Sequence, residues 1–155
     1  MKEIKLTRNL FTQVDDEDFE LLSKLKWNAK KGRNTFYAAR HDYRPGIFDG
    51  TIFLHRLLLK VPKGFFIDHI DNNGLNNQKS NLRLCTPSQN GFNVKKYKTN
   101  TSGYKGIVSI KSGRWSARIS INNKRINLGN FNTKEEAYKS YCEAAKKYRG
   151  EFANF

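Results

Sequence analysis

Apolar residues along the chain fall into short clusters separated by polar turns, and the spacing inside each cluster predicts its element. Residues 3–7 alternate as a short strand does. A helix is expected to open at Asp15 or Asp16. Acidic residues crowd its first turn, Phe19, Leu21, Leu22 and Leu25 supply an apolar face, and Lys24 and Lys26 suit the negative end of its dipole. Trp27–Ala29 and Thr35–Arg40 read as strands joined by the polar turn at 30–34, and Arg44 to Gly50 as loop. From Thr51 a strand passes into a short helix over Arg56–Lys60, which must stop before Pro62.

The middle of the chain predicts a strand at Phe65–Ile70, a turn-rich stretch Asp71-Asn-Asn-Gly-Leu-Asn-Asn77, and a returning strand at Asn81–Cys85. Thr86 then offers a hydroxyl cap and Pro87 the first helical position of a helix through Val94. This is a ββα unit. Residues 95–103 have no apolar period and read as a basic linker. Beyond it come three short strands, about 105–111, 114–121 and 124–128, with turns at Ser112-Gly113 and Asn122-Asn123. A helix follows from Thr133 to about Arg149. Thr133 and Glu136 have capping-box spacing, Ala137, Tyr141, Ala144 and Tyr148 share one face, and Gly150 ends it.

Charge changes the picture from fold to partner. The chain carries 29 Lys and Arg against 14 Asp and Glu, a formal net charge of +15. A polyanion is the natural target. Apolar runs such as 52–54 and 57–59 are too short to cross a bilayer, and the first residues hold no apolar stretch of signal-peptide length, so double-stranded DNA is expected as partner, with no membrane and no small-molecule substrate, and the cytoplasm as location. The two cysteines, Cys85 and Cys142, cannot form a four-thiolate zinc site and are expected to be reduced, packed thiols.

Cutting a phosphodiester requires a water nucleophile, a base to deprotonate it, and positive charge at the phosphate and the leaving oxygen. Asp68 and His69 set a carboxylate and an imidazole side by side at a strand end. Adjacent strand residues point to opposite faces, so both serve one site only where the strand bends. Asn81 stands on the returning strand and Asn90 on the helix after it.

Those residues, in that order on a ββα unit, resemble the HNH (His-Asn-His) nuclease motif, in the variant with Asn at the third position. Asp68-His-Ile-Asp-Asn-Asn-Gly-Leu-Asn-Asn77, Asn81-Leu-Arg83 and Ser88-Gln-Asn90, preceded by His55-Arg56, are similar to HNH homing endonucleases of phages over roughly residues 50–95. The resemblance implies His69 as general base, Asn81 as the residue that holds the loop and orients His69, and Asp68 and Asn90 as metal ligands. His55, Arg56, Arg83 and Asn93 are accessory candidates, His55 by packing or a phosphate contact and Asn93 as an alternative ligand to Asn90 or a helix-end contact; His41 is expected at the surface. One carboxylate and one amide oxygen favour Mg²⁺ or Mn²⁺, one per active site.

Residues 102–155 carry a second resemblance. Gly103-Tyr-Lys-Gly-Ile-Val108, Gly113-Arg-Trp-Ser-Ala-Arg-Ile119, Leu128-Gly-Asn-Phe131 and Thr133-Lys-Glu-Glu-Ala-Tyr138 are similar to the Apetala-type, ethylene-response-factor-like DNA-binding domain. That family's exposed sheet face reads the major groove, which implies DNA contacts from Lys105, Arg114, Trp115, Arg118, Ser120, Arg125 and Asn127. Trp115 fits a packed, half-buried ring equally well. Lys105 and Asn127 depart from the Arg and Trp common in plant members, so the plant target sequence is not carried over.

The expected architecture is α+β. A ββα-metal (His-Me finger) nuclease module fills residues 1–95 with its core at about 65–94, a basic linker spans 96–102, and a three-stranded antiparallel sheet on one helix forms 103–155. The expected activity is that of a sequence-recognising, metal-dependent DNA endonuclease, phage-encoded and acting in a bacterial cell. One active site per chain predicts nicking by a monomer or weak dimer. Two rivals share the sequence, a DNA-binding regulator with a vestigial nuclease and a nonspecific or defence nuclease.

Overall fold

The computed structural model describes residues 1–45, 47–93, 100–122 and 124–155. The chain divides into two compact units, Met1–Pro87 and Ser88–Phe155.

The first unit opens with a hairpin whose first strand, β1 (Lys2–Lys5), overlaps the expected one at 3–7 and whose second, β2 (Phe11–Val14), the apolar pattern does not announce. Its turn passes through Arg8 and Asn9, both at positive φ (63° and 53°), and Leu6 N donates to Leu10 O across it. Helix α1 (Asp16–Leu22) is shorter than its sequence pattern. The buried indole of Trp27 donates to the Leu22 carbonyl at 2.9 Å, satisfying the helix end where the chain turns back into the core. Lys24 and Lys26 therefore lie past the helix, Leu25 packs on the core from the following turn, and Leu21 is 71% exposed rather than part of the apolar face.

Strands β3 (Asn28–Lys31), β4 (Phe36–Arg44) and β5 (Phe48–Phe53) form an antiparallel sheet in that order. The expected loop from Arg44 to Gly50 is largely strand. Pairing of Tyr43 with Asp49 and Arg44 with Phe48 satisfies backbone groups that a loop would leave to water. Helix α2 (Leu54–Leu58) follows directly, two residues earlier than expected, because the fully buried Leu54 must enter the core with Ile4, Leu6, Val14, Leu22, Trp27, Ala29 and Ala38. Strands β6 (Phe66–His69) and β7 (Leu82–Cys85) pair antiparallel, with Asp68 opposite Arg83 and His69 opposite Leu82. Asn81 is not on the returning strand; it ends a 3₁₀ turn, Lys79–Asn81, one residue before it. Helix α3 (Pro87–Phe92) comes next. The expected end of this helix at Val94 and most of the linker, residues 94–99, lie outside the described residues.

In the second unit, β8 (Ile107–Ser109), β9 (Trp115–Ile121) and β10 (Lys124–Phe131) form an antiparallel sheet with β9 central. Helix α4 (Lys134–Arg149) covers one face, and Ile107, Ala117, Ile119, Ala137, Tyr141, Ala144 and Ala145 form the core between them. The capping box forms in both directions, at 3.2 and 3.3 Å between Thr133 and Glu136. Tyr148, expected on the apolar face, is 45% exposed in the last turn, whereas Ala145 is fully buried in the core beside Ala144. Strand β8 starts later than expected because Gly106 adopts φ 70°, where a side chain would stand 2.4 Å from Arg118 O and 2.5 Å from the Tyr141 ring. Asn100 to Tyr104 is an ordered turn, tied by Asn100 Nδ2 and Ser102 Oγ donating to Tyr104 O at 2.8 and 3.0 Å. Among the described residues, no helix is long and apolar enough to cross a membrane.

Candidate active site and nucleic-acid face

The β6–β7 hairpin sends Asp68 and His69 to opposite sides of the strand, and both are buried, at 6% exposure each. Arg83, directly across the ladder from Asp68, reaches its Oδ2 with Nε at 2.9 Å and Nη2 at 2.8 Å. A half-buried guanidinium thus holds the carboxylate in one orientation. His69 is the last residue of β6, where the chain leaves the ladder, and its Nε2 stands 3.2 Å from Asn77 Oδ1.

The loop after His69 is held by its own amides. Asp71 accepts from Asn73 N (2.8 Å), Asn76 Nδ2 (2.8 Å) and Asn81 Nδ2 (3.0 Å). Asn81 Oδ1 accepts from Asp71 N (3.1 Å), and Asn81 Nδ2 also donates to Asn76 O (2.8 Å). The side chain of Asn81 therefore bonds to the loop, and the amide that meets His69 is that of Asn77. A second anchor comes from the N-terminal hairpin: Gln13 N donates to Leu75 O and Asn77 N to Gln13 O, both at 2.8 Å.

Electrostatics follow from this packing. Burial lowers the proton affinity of His69 below that of an ordinary imidazole, against the opposing pull of Asn77, Asp71 and Asp68. His55 is pushed down to about 3 by burial, then by the charges of His69 and Arg56. Its ring meets that of His69 edge-on at 5.2 Å and stacks on Phe53 at 5.6 Å, with Tyr37 at 5.7 Å. Burial works to raise Asp71, but its three donors and His69 outweigh it, and the carboxylate lies below its usual range. Cys85 is pushed up to about 11, first by burial and then by Asp68, so it is a packed thiol and not a nucleophile. At neutral pH β6 presents an uncharged imidazole at its end and, on the opposite side of the strand, a carboxylate ion-paired to Arg83; the imidazole is the group that can take a proton from water.

The structure brings Asp68, His69, Asn81, Arg83 and His55 together within the first unit. Arg56 and His41 are exposed. Asn90 is exposed on α3, and Asn93 is buried, both in the second unit. The Asn93 amide oxygen accepts from Asn154 Nδ2 at 2.7 Å. Among the described residues, no group of three or more His, Cys, Asp or Glu could hold a metal ion. Zinc-type chelation is not built here; a carboxylate with an amide oxygen fits a hard cation that keeps waters and phosphate oxygens in its shell. Asn77 and Thr12 were hidden from sequence reasoning. Asn77 looks like one more turn former, and Thr12 acquires its partner only across 65 residues of chain.

In the second unit the register puts Arg118 opposite Asn127 and Ser120 opposite Arg125. These four alternate with the core residues Ala117 and Ile119, so they share the face away from α4. Arg118 Nε is braced by Ser116 Oγ at 3.3 Å, and Asn127 Oδ1 accepts from Gly129 N at 3.2 Å at a bulge in β10. Arg114 is exposed before β9, its Nη2 on Asn130 O at 2.8 Å. Trp115 packs half-buried against the core. Lys105 turns elsewhere: its ammonium donates to Asn154 O (3.0 Å) and Oδ1 (2.8 Å), and burial, then Arg149, push it down to about 8.

Two family models match the chain. A family model described as HNH endonuclease matches residues 60–92, and one described as AP2 domain matches residues 102–151. The chain is 33% identical over 152 residues to an uncharacterized HNH endonuclease of Acanthamoeba polyphaga mimivirus, covering 94% of this chain and 74% of that one. It is 38% identical over 96 residues to Protein 3.8 of Escherichia phage T7, covering 61% of this chain and 78% of that one. An AP2/ERF and B3 domain-containing transcription repressor of Arabidopsis thaliana is 43% identical over 63 residues, 41% of this chain and 18% of its own length.

Proposed function

The chain belongs to the HNH endonuclease family, and on that premise we propose that it is a metal-dependent, sequence-recognising DNA endonuclease of the homing type that nicks one strand per active site. The observation that carries this reading is the neutral, buried imidazole of His69 at the end of the strand that also carries the Arg83-held carboxylate of Asp68. His69 takes the proton of the attacking water. Asn81 and Asp71 lock the loop so that the ring does not swing away from the phosphate. Asp68 would hold the divalent cation, Mg²⁺ or Mn²⁺, which when bound supplies positive charge at the phosphate and the departing oxygen; Asn90 remains the further ligand that the resemblance implies. Arg83 keeps the Asp68 carboxylate aimed and offsets part of its charge.

The AP2-like unit supplies the address. Arg118, Ser120, Arg125 and Asn127 on one sheet face, with Arg114 at its margin, offer guanidinium forks and amides of the kind that fit base edges and phosphates of double-stranded DNA. Lys105, tied to Asn154, supports that unit from within. The two segments are arranged as a ββα-metal module followed by a three-strand-plus-helix reader, and the protein works as a monomer or weak dimer. The relative in Escherichia phage T7 supports a phage-encoded enzyme acting in a bacterial cell.

The test is digestion of a bacterial or phage genomic library in Mg²⁺, with sequencing of the new ends. Nicks at a small set of related sites are expected, lost in EDTA and in His69→Ala while DNA binding persists. Tight binding with no nicking would leave a regulator, unrelated sites cut equally well would leave a nonspecific nuclease, and full activity of His69→Ala would remove the base.

A further inference from the structure

We propose that Asn77, held by Thr12, is a positioning residue that fixes the orientation and tautomer of the His69 ring, placing the proton on Nε2 and leaving Nδ1 to receive the proton of water. The inference rests on the reading of His69 as general base. The hydrogen bonds behind it have one consistent direction. Thr12 Oγ1 donates its single proton to Leu75 O at 2.8 Å, so toward Asn77 it can only accept, and Asn77 Nδ2 stands 2.7 Å away. The same Nδ2 faces Gly74 O at 3.5 Å. An amide turned over would set Oδ1 against two acceptors, so Nδ2 faces Thr12 and Oδ1 faces His69. An amide oxygen offers only lone pairs. Nε2, 3.2 Å from it, is therefore the donor, and a neutral ring protonated there carries its basic lone pair on Nδ1.

Neither residue can touch DNA, since Asn77 is 1% exposed and Thr12 fully buried. Thr12 also lies well before residue 60, where the HNH match begins. Strand β2 is stitched to the loop by Gln13 N on Leu75 O and Asn77 N on Gln13 O, and Lys79 N is capped by Asp15 Oδ2 at 2.8 Å. The N-terminal hairpin is thus the support on which the base is aimed.

The test is long-range ¹H–¹⁵N NMR of the imidazole nitrogens in the full chain at neutral pH, with the His69 signals identified by their loss in His69→Gln. Wild-type protein is expected to show the proton on Nε2. Thr12→Val and Asn77→Ala are expected to mix the tautomers and to lower kcat by about 10–100-fold, the range found for residues that orient a catalytic or ligating side chain, with KM for DNA unchanged. Thr12→Ser, which keeps the hydroxyl, should restore both. An Nδ1–H tautomer in the wild type overturns the proposal without any variant having to fold, and so does a wild-type tautomer and kcat in Thr12→Val and Asn77→Ala. Should the tautomers behave as expected while His69→Ala still nicks at full rate, the base reading falls, and with it the catalytic consequence, but the hydrogen-bonding relation stands.

Discussion

Removing the Asn81 amide should unfasten the loop that follows His69, and the cost can be worked from its partners. Asn81 is 9% exposed and makes three side-chain hydrogen bonds, two neutral and one to the Asp71 carboxylate. Neutral bonds contribute about 1 kcal/mol each and a bond to a charged group about 1.5–3 kcal/mol, so Asn81→Ala could cost about 4 kcal/mol. Asp71 is exposed and keeps two other donors, Asn73 N and Asn76 Nδ2, so water recovers part of the loss. The expectation is about 2–3 kcal/mol, confined to the first unit. Urea unfolding followed by fluorescence reads it, because Trp27 is buried in the first unit's core and Trp115→Phe silences the second unit. With a slope of about 1–3 kcal/mol per molar urea, the midpoint should fall by about 1–2 M. A change below about 0.5 kcal/mol would refute the clamp, since exposed, independent hydrogen bonds behave that way. Unchanged stability with abolished nicking would place Asn81 at the reacting atoms instead.

Other outcomes follow from the same geometry. Because burial lowers the proton affinity of His69, the base stays unprotonated down to a pH below 6.5, and single-turnover nicking at saturating DNA and metal should lose rate only below that; an acid limb centred above 6.5 would contradict the assignment. His55 titrates near 3 in the fold and near 6.5 when unfolded, so the unfolded chain binds the extra proton first and stability falls as pH drops from 6.5 toward 3; the slope, up to about 1.4 kcal/mol per pH unit, should diminish in His55→Phe, as pH-dependent thermal melts would show. Gly106→Ala forces a side chain into Arg118 O and the Tyr141 ring at positive φ, and should destabilise the second unit by more than about 2 kcal/mol in urea; a tolerated alanine would count against the close approach of β8 and α4. Arg125→Met should weaken DNA binding and flatten its salt dependence by about one phosphate's worth, while Lys105→Met, its ammonium already spent on Asn154, should change the salt slope little; the reverse order would reassign the DNA face.

Much of the second unit was legible in the sequence because its determinants are local. The Thr133–Glu136 capping box, the run Ala137, Tyr141 and Ala144, and Gly150 at positive φ lie within one helix of each other, and the alternation of Ala117 and Ile119 with Arg118 and Ser120 assigns the faces of β9 by itself. The spacing of Asp68, His69, Asn81 and Asn90 was equally visible, since a motif is a local string once its family is known. Of the N-terminal hairpin only the first strand was. The value of the second to the chain lies in Thr12 and Gln13 bonding to Leu75 and Asn77, partners more than sixty residues away, which no window of periodicity can contain.

The sequence by itself determined the chemistry and the partner: an imidazole, a carboxylate and amides in nuclease order, followed by a basic sheet and its capped helix, on a chain of net charge +15. Only the tertiary structure decided how those groups are aimed. It tied Asn81 to the loop through Asp71 and Asn76, gave Asn77 the place beside His69, bound Arg83 to Asp68, and took Lys105 inward to Asn154. The physical reason is that residue type fixes what a group can donate, accept or titrate. Burial and direction, on which the strength of each bond and the protonation of each group depend, are set by segments distant in sequence that only folding brings together.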